Sequence, residues 1–101
     1  MPETVKFEDL GGGRFGVEGR LGFDTVGQAL DASQRLFADY HAIELDLSGV
    51  TAADSAGVAL LIEWVSRARH SRCVLHFRHV PEQIKALARI SDVETMLPMA
   101  A

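Results

Sequence analysis

"IELDLSGVTAADSAGVALL", residues 43–61, changes its hydrophobic period part-way along, and that change decides how the chain is read. The first five residues alternate: Ile43, Leu45 and Leu47 point one way, Glu44 and Asp46 the other. A period of two describes a strand with one buried face, whose far face is open or covered in part by something else. From Ser55 to His70 the spacing becomes helical. On a wheel of about 100° per residue, Val58, Leu61, Val65 and Ala68 form the core stripe, with Ile62 and Trp64 on its shoulders.

Between strand and helix stands a polar knot, Asp54-Ser55, with Gly57 one residue further on. Asp and Ser are both strong helix N-caps, so the Ser55 hydroxyl is expected to cap the helix. Capping is compatible with a signalling role, because a phosphate at a helix N-terminus meets unpaired N–H donors and the positive end of the dipole. Gly57 permits close approach of another backbone, at some cost in helix propensity. The side opposite the core stripe carries Ala56, Ala59, Leu60, Glu63, Arg67 and His70. Its second half is polar. Its first two turns are apolar, so Ala56, Ala59 and Leu60 are expected to face water beside Ser55 as a docking patch. The alternative is that a neighbouring loop or the N-terminal strands cover them.

Working outward, "TVKFEDLGGGRFGVEGRLGF" (residues 4–23) reads as two short strands around Gly11-Gly12-Gly13, where a tight connection needs positive φ. "DTVGQALDASQRLFADY" (24–40) is a helix pattern. Asp24 or Thr25 can cap it, and Val26, Ala29, Leu30, Phe37 and Tyr40 fall near one stripe. "RCVLHFRHV" (72–80) is a strand, and "PEQIKALARIS" (81–91) a third helix. In that helix Pro81 suits the first turn, Glu82 complements the positive end, and Ile84, Leu87 and Ala88 face inward. The order is β-β-α-β-α-β-α. A hairpin is antiparallel and strands joined through helices are parallel, so the fold class is α/β with a mixed sheet and helices packed on it.

With 101 residues, 48% apolar and 24% charged, residues 1–101 are expected to form a single domain. A net charge of −4 disfavours a nucleic-acid groove, which needs a basic stripe. Arg67–Arg72 complements a helix C-terminus instead. Cys73 has no partner for a disulfide and reads as a buried structural thiol. No charged-then-apolar leader is present, which predicts a cytoplasmic protein. The longest apolar run, Ala56–Ile62, is far short of the roughly 20 residues that cross a bilayer. Any membrane association is therefore expected to go through a partner rather than by direct insertion.

Catalytic constellations are missing from the sequence. His41, His70, His76 and His79 have neither a Cys partner nor HExxH spacing. Ser55 lacks the Gly-x-Ser-x-Gly context, and "GGGR" lacks the Lys-Ser/Thr of a phosphate-binding loop. Asp46 and Asp54 have no further carboxylates to complete a cation site. No enzyme, metal or cofactor is expected.

The stretch 43–61 resembles the signature of the STAS domain: a strand, a short loop, then Asp-Ser-x-Gly opening a helix. The order of elements agrees over nearly the whole chain, which implies the STAS fold. In the family's anti-sigma factor antagonists the Ser after the Asp is phosphorylated by an anti-sigma factor kinase, and that position is Ser55. A second branch is the small STAS subunit of the Mla-type ABC system, which moves phospholipid between Gram-negative membranes. The chain is similar to it in compact length, in "GVALLIEWVSRAR" and in the ending "VPEQIKALARISDVETMLP". In that branch the residue after the Asp lies where the subunit docks on the transporter ATPase. The "GELD" entry frequent in anti-sigma antagonists appears here as "EGRLGFD", a departure that favours the transporter branch.

The resemblance therefore implies a non-enzymatic subunit that regulates the cytoplasmic ATPase of a transporter maintaining outer-membrane lipid asymmetry. It would sit at the inner membrane through the complex, with Thr51, Asp54, Ser55, Ala56, Gly57, Ala59 and Leu60 in the contact. The runner-up is an anti-sigma factor antagonist switched by phosphorylation of Ser55. A third reading is a STAS domain that binds a small ligand or nucleotide.

Overall fold

In the computed structural model of the chain, residues 5–100 are described. Thr4, where the first strand run was expected to begin, lies outside them, as do the other ends of the 1–101 span. Strands β1 (Lys6–Gly11) and β2 (Arg14–Leu21) pair antiparallel. Gly11, Gly12 and Gly13 take φ of 86°, 63° and 80° at their turn, as the hairpin reading requires. Strand β3 (Ala42–Ala53) runs parallel to β2, and β4 (Val74–Arg78) parallel to β3, giving a mixed sheet of order β1-β2-β3-β4.

Four helices complete the fold: α1 (Val26–Ala32), α2 (Leu36–Asp39), α3 (Ser55–His70) and α4 (Glu82–Ile90), followed by a 3-10 turn at Glu94–Met96. α3 and α4 lie against the sheet, and α1 and α2 pack on α3. The core forms on that one side. Ile43, Leu45 and Leu47 are 3%, 0% and 0% exposed, so the alternation of β3 places them as expected. Val17 and Phe77 flank them on β2 and β4, and Leu61, Trp64 and Ile84 of the helices complete the core.

The pattern over residues 24–40 does not make one helix. It breaks at Ser33-Gln34-Arg35 between α1 and α2. The Ser33 hydroxyl donates to the Leu30 carbonyl at 3.1 Å and accepts from Trp64 Nε1 at 2.8 Å. Both residues are buried, so the bond satisfies an indole N–H that would otherwise be stranded in the core. Thr25 does not cap α1 with its side chain either. Its buried hydroxyl accepts from Gly22 N at 2.9 Å and donates to the Arg20 carbonyl, closing the turn out of β2.

β3 is also longer than its alternating segment. Beyond Ser48 it continues through Gly49↔Glu18, Val50↔Gly19, Ala52↔Arg20 and Leu21↔Ala53. The register shifts between Gly19 and Arg20, and Thr51 is the extra residue on the β3 side. Thr51 thus stands on a bulged strand and not in a loop. At the other edge, Phe77 N donates to the Pro98 carbonyl and Ala100 N to the Phe77 carbonyl, each at 2.8 Å. The segment after the 3-10 turn therefore pairs along the outer edge of β4, with Leu97 in the core.

The sheet's other face is charged. Burial alone would raise the Glu44 carboxyl, but hydrogen bonds from Arg78 and Arg14 outweigh it and hold the group below its ordinary value. Asp46 follows the same pattern: burial raises it, and bonds from Ser48 and His79 bring it lower. Burial pushes the Cys73 thiol up, in keeping with a structural thiol.

Candidate functional site

β2 and β3 end side by side, Leu21 against Ala53, and each turns toward the same corner of the molecule. β2 leads into Gly22-Phe23, while β3 leads through Asp54 straight into α3. Asp54 has extended backbone (φ −116°), and its Oδ1 accepts from Ala56 N at 2.8 Å, so it is the N-cap of α3. Its other oxygen, Oδ2, accepts from Phe23 N at 3.4 Å. One carboxylate thus caps the helix and ties down the turn beside it. Arg20 and Asp24 form an ion pair over the same turn.

This corrects the assignment of the cap to Ser55. Ser55 is the first residue of α3 and is exposed. Within the described residues its hydroxyl makes no hydrogen bond. The side chain that sequence alone reads as a cap is left facing solvent because its neighbour takes that role.

Gly57 also turns out to face inward. A side chain there would begin 2.6 Å from the Leu21 carbonyl oxygen and 3.2 Å from Ala53 Cβ. The close backbone approach expected at Gly57 exists, but the other backbone is the chain's own β2. Leu60 is a second correction: it is 2% exposed and does not face water. A wheel drawn for α3 accounts for the sheet beneath it but not for a helix on its flank. Val26 and Leu30 of α1, together with Phe23 of the turn after β2, line the same groove as Leu60.

What remains open is a shallow groove of about 390 Å³, floored by Leu60 and lined by Phe23, Val26, Leu30, Ala56 and Ala59, with Glu63 at its rim. Phe23 is 78% exposed, an unusual position for an aromatic ring. It closes the run 4–23 expected to form the opening strands. Its signal is a large apolar side chain between Gly22 and Asp24 that continues no alternation. Of the seven candidate residues, Thr51, Ser55 and Ala59 are exposed, Asp54 and Ala56 half-buried, and Gly57 and Leu60 buried. Ser55 and Ala59 are one turn apart on α3, on one face of the helix.

Residues 11–98 match the family described as "Mlab, STAS domain". The chain belongs to the MlaB STAS family. The structure of this STAS domain is similar to that of the anti-sigma factor antagonist SpoIIAA in its unphosphorylated form. The TM-score is 0.70 at 13% identity, over 96% of this chain and 88% of that one, a likeness of fold. It is also similar to part of the crystal structure of Mglu, with a TM-score of 0.59 and 25% identity. That match covers 77% of the STAS domain and 20% of the Mglu chain. No curated protein matches by sequence.

STAS domains are in general regulatory and binding modules. Among the described residues of this one, no group of three or more His, Cys, Asp or Glu is placed to hold a metal ion. No helix among them is long and apolar enough to cross a membrane. What the corner of the STAS domain offers is a hydroxyl and an apolar groove, side by side on a rigidly capped helix.

Proposed function

We propose that this STAS domain binds and regulates the ATPase subunit of an ABC transporter that moves phospholipid, docking through the N-terminal half of α3. Membership of the MlaB family supports the partner. The observation that carries the surface is the exposed apolar groove next to Ser55, with Phe23 standing out of it. Buried aromatic anchors dominate the energetics of protein interfaces, and Phe23 is available for that role. Ala56 and Ala59 provide the flat apolar surround and Ser55 a hydroxyl beside it, with Thr51 and Asp54 at its margin. Gly57 and Leu60 contribute from beneath, by fixing where α3 and α1 sit. Association with the inner membrane follows from the partner.

The test is co-purification with the transporter ATPase subunit of the same organism, using Ser55→Asp, Ala59→Glu and Phe23→Ser, each checked by thermal melting. All three change exposed side chains, so the fold should persist while binding weakens by about tenfold or more, the effect of a charge or a lost anchor in a desolvated contact. Undiminished binding by all three would remove this corner from the interface. The free Ser55 hydroxyl supports a second reading, phosphorylation by an anti-sigma factor kinase. Phosphate on Ser55 in protein isolated from cells, together with no ATPase binding, would favour it.

A further inference from the structure

We propose a second binding site, on the sheet face turned away from α3, that takes a small soluble phosphate ester between Arg14 and Arg78. The site is independent of the ATPase reading, since it uses none of the residues at the α3 corner. Its centre is Glu44, whose side chain is 21% exposed. Oε2 accepts from Arg14 Nε at 3.1 Å, and Oε1 forms an ion pair with Arg78 Nε at 3.0 Å. One carboxylate therefore holds two guanidinium groups, reaching in from β2 and from the end of β4.

Each arginine meets Glu44 through Nε, and neither has another hydrogen-bond or ion-pair partner among the described residues. Their terminal Nη donors remain for a ligand. Asp46, the register partner of Arg78 on the same face and bonded to His79, leaves the local charge close to balanced, so recognition rests on the two guanidinium forks. Guanidinium forks match the spacing of phosphate oxygens, and arginines already fixed by Glu44 lose little side-chain freedom on binding.

Space is present as well. The groove over these residues has a volume of about 520 Å³, within the roughly 300–1,000 Å³ range of small-molecule sites. At one end the wall is the Gly12-Gly13 turn, where no side chain fills the groove; Met99 and Ala100 wall it elsewhere. Val74, 58% exposed although apolar, and Met99 offer surface to the carbon skeleton of the ester. The guanidinium forks select the phosphate end, and the apolar strip the rest.

Glycerol 3-phosphate, titrated into the 15N-labelled domain at low ionic strength against matched sodium chloride, tests this. Saturable shifts at Gly12, Gly13 and Glu44 with a Kd of about 1 mM or tighter are expected. Arg14→Gln and Arg78→Gln, each confirmed folded by melting, should weaken binding about tenfold, as loss of one charge-assisted contact does. Arg89→Gln, outside the groove, should not. Absence of saturation, or equal affinity in both groove variants, would overturn the site. So would co-sedimentation with phosphatidylglycerol vesicles lost in the same two variants, which would assign the arginines to a membrane surface.

Discussion

The carbonyl oxygen of Leu21 lies 2.6 Å from the point where a side chain on Gly57 would begin. The same carbonyl accepts a hydrogen bond from Asp54 N at 3.2 Å, so the end of β2 meets α3 both at its cap and one turn in. This double contact sets the height of the helix start above the sheet, and with it the position of Ser55. The hydroxyl is presented outward because the residues on either side of it are held from within.

Gly57→Ala tests that contact directly. Alanine improves helix propensity by about 1 kcal/mol, but overpacking a tight site costs roughly 1–3 kcal/mol. The obstructing atom belongs to backbone and cannot rotate away, so net destabilisation is expected, read as a lower urea midpoint. An unchanged or higher midpoint would show that α3 can ride up off β2.

Asp54 and Ser55 separate the cap from the exposed hydroxyl. Asp54→Ala should cost about 1 kcal/mol, the usual loss of an N-cap, with loosening of the turn at Phe23 in addition. Ser55→Ala should change stability very little, since its side chain bonds to nothing in the described chain. Chemical denaturation of both variants checks this; equal losses would mean that Ser55 shares the capping.

The flank of α3 gives a contrast between adjacent residues. Leu60→Glu puts a carboxylate at a buried position beside Val26 and Leu30 and should lower the melting midpoint strongly. Ala59→Glu places the same charge in water and should leave the melt close to that of the parent. A well-folded Leu60→Glu protein would show that α1 is free to lift away.

Ser33→Ala strands the Trp64 indole N–H in the core and should cost about 1–3 kcal/mol, the penalty for a buried donor without a partner. Trp64 is the chain's single tryptophan, so its fluorescence reports the change directly. Unaltered stability and emission would place the break between α1 and α2 under some other control.

Acid should weaken the fold through Glu44 and Asp46. Both carboxyls titrate lower in the folded protein than in the unfolded chain, where the ordinary values are about 4.3 and 3.9. The folded state thus binds fewer protons across that interval. Their contribution is complete above the unfolded values and is lost as pH falls through the folded ones. The partners Arg14, Arg78 and His79 are partly exposed, so the effect of each pair should stay within about 1 kcal/mol. Urea unfolding at about pH 7 and about pH 3.5 should show a smaller loss for Glu44→Gln than for the parent.

The alternation of Ile43, Leu45 and Leu47, the three glycines of the hairpin and the helical spacing after Ser55 were enough to determine the strands, the α/β order and the mixed sheet, though not the division of 24–40 into two helices. Those signals are local: each records which side of a single segment is apolar, and that side must be buried whatever covers it. The Asp-Ser-x-Gly sequence marked the junction of β3 and α3 for the same reason, as a polar knot at a change of period. Tertiary structure alone decided what each residue does there. Asp54 caps in place of Ser55 because its carboxylate also reaches the turn at Phe23, 31 residues earlier in sequence. Leu60 is buried beside Val26 and Leu30 of α1, and the helix expected over 24–40 breaks where Ser33 meets Trp64, again 31 residues away. Arg14 and Arg78 meet on Glu44 only once three strands are in register. Contacts of that range depend on where separate segments come to rest against one another, and no periodicity within a segment records it.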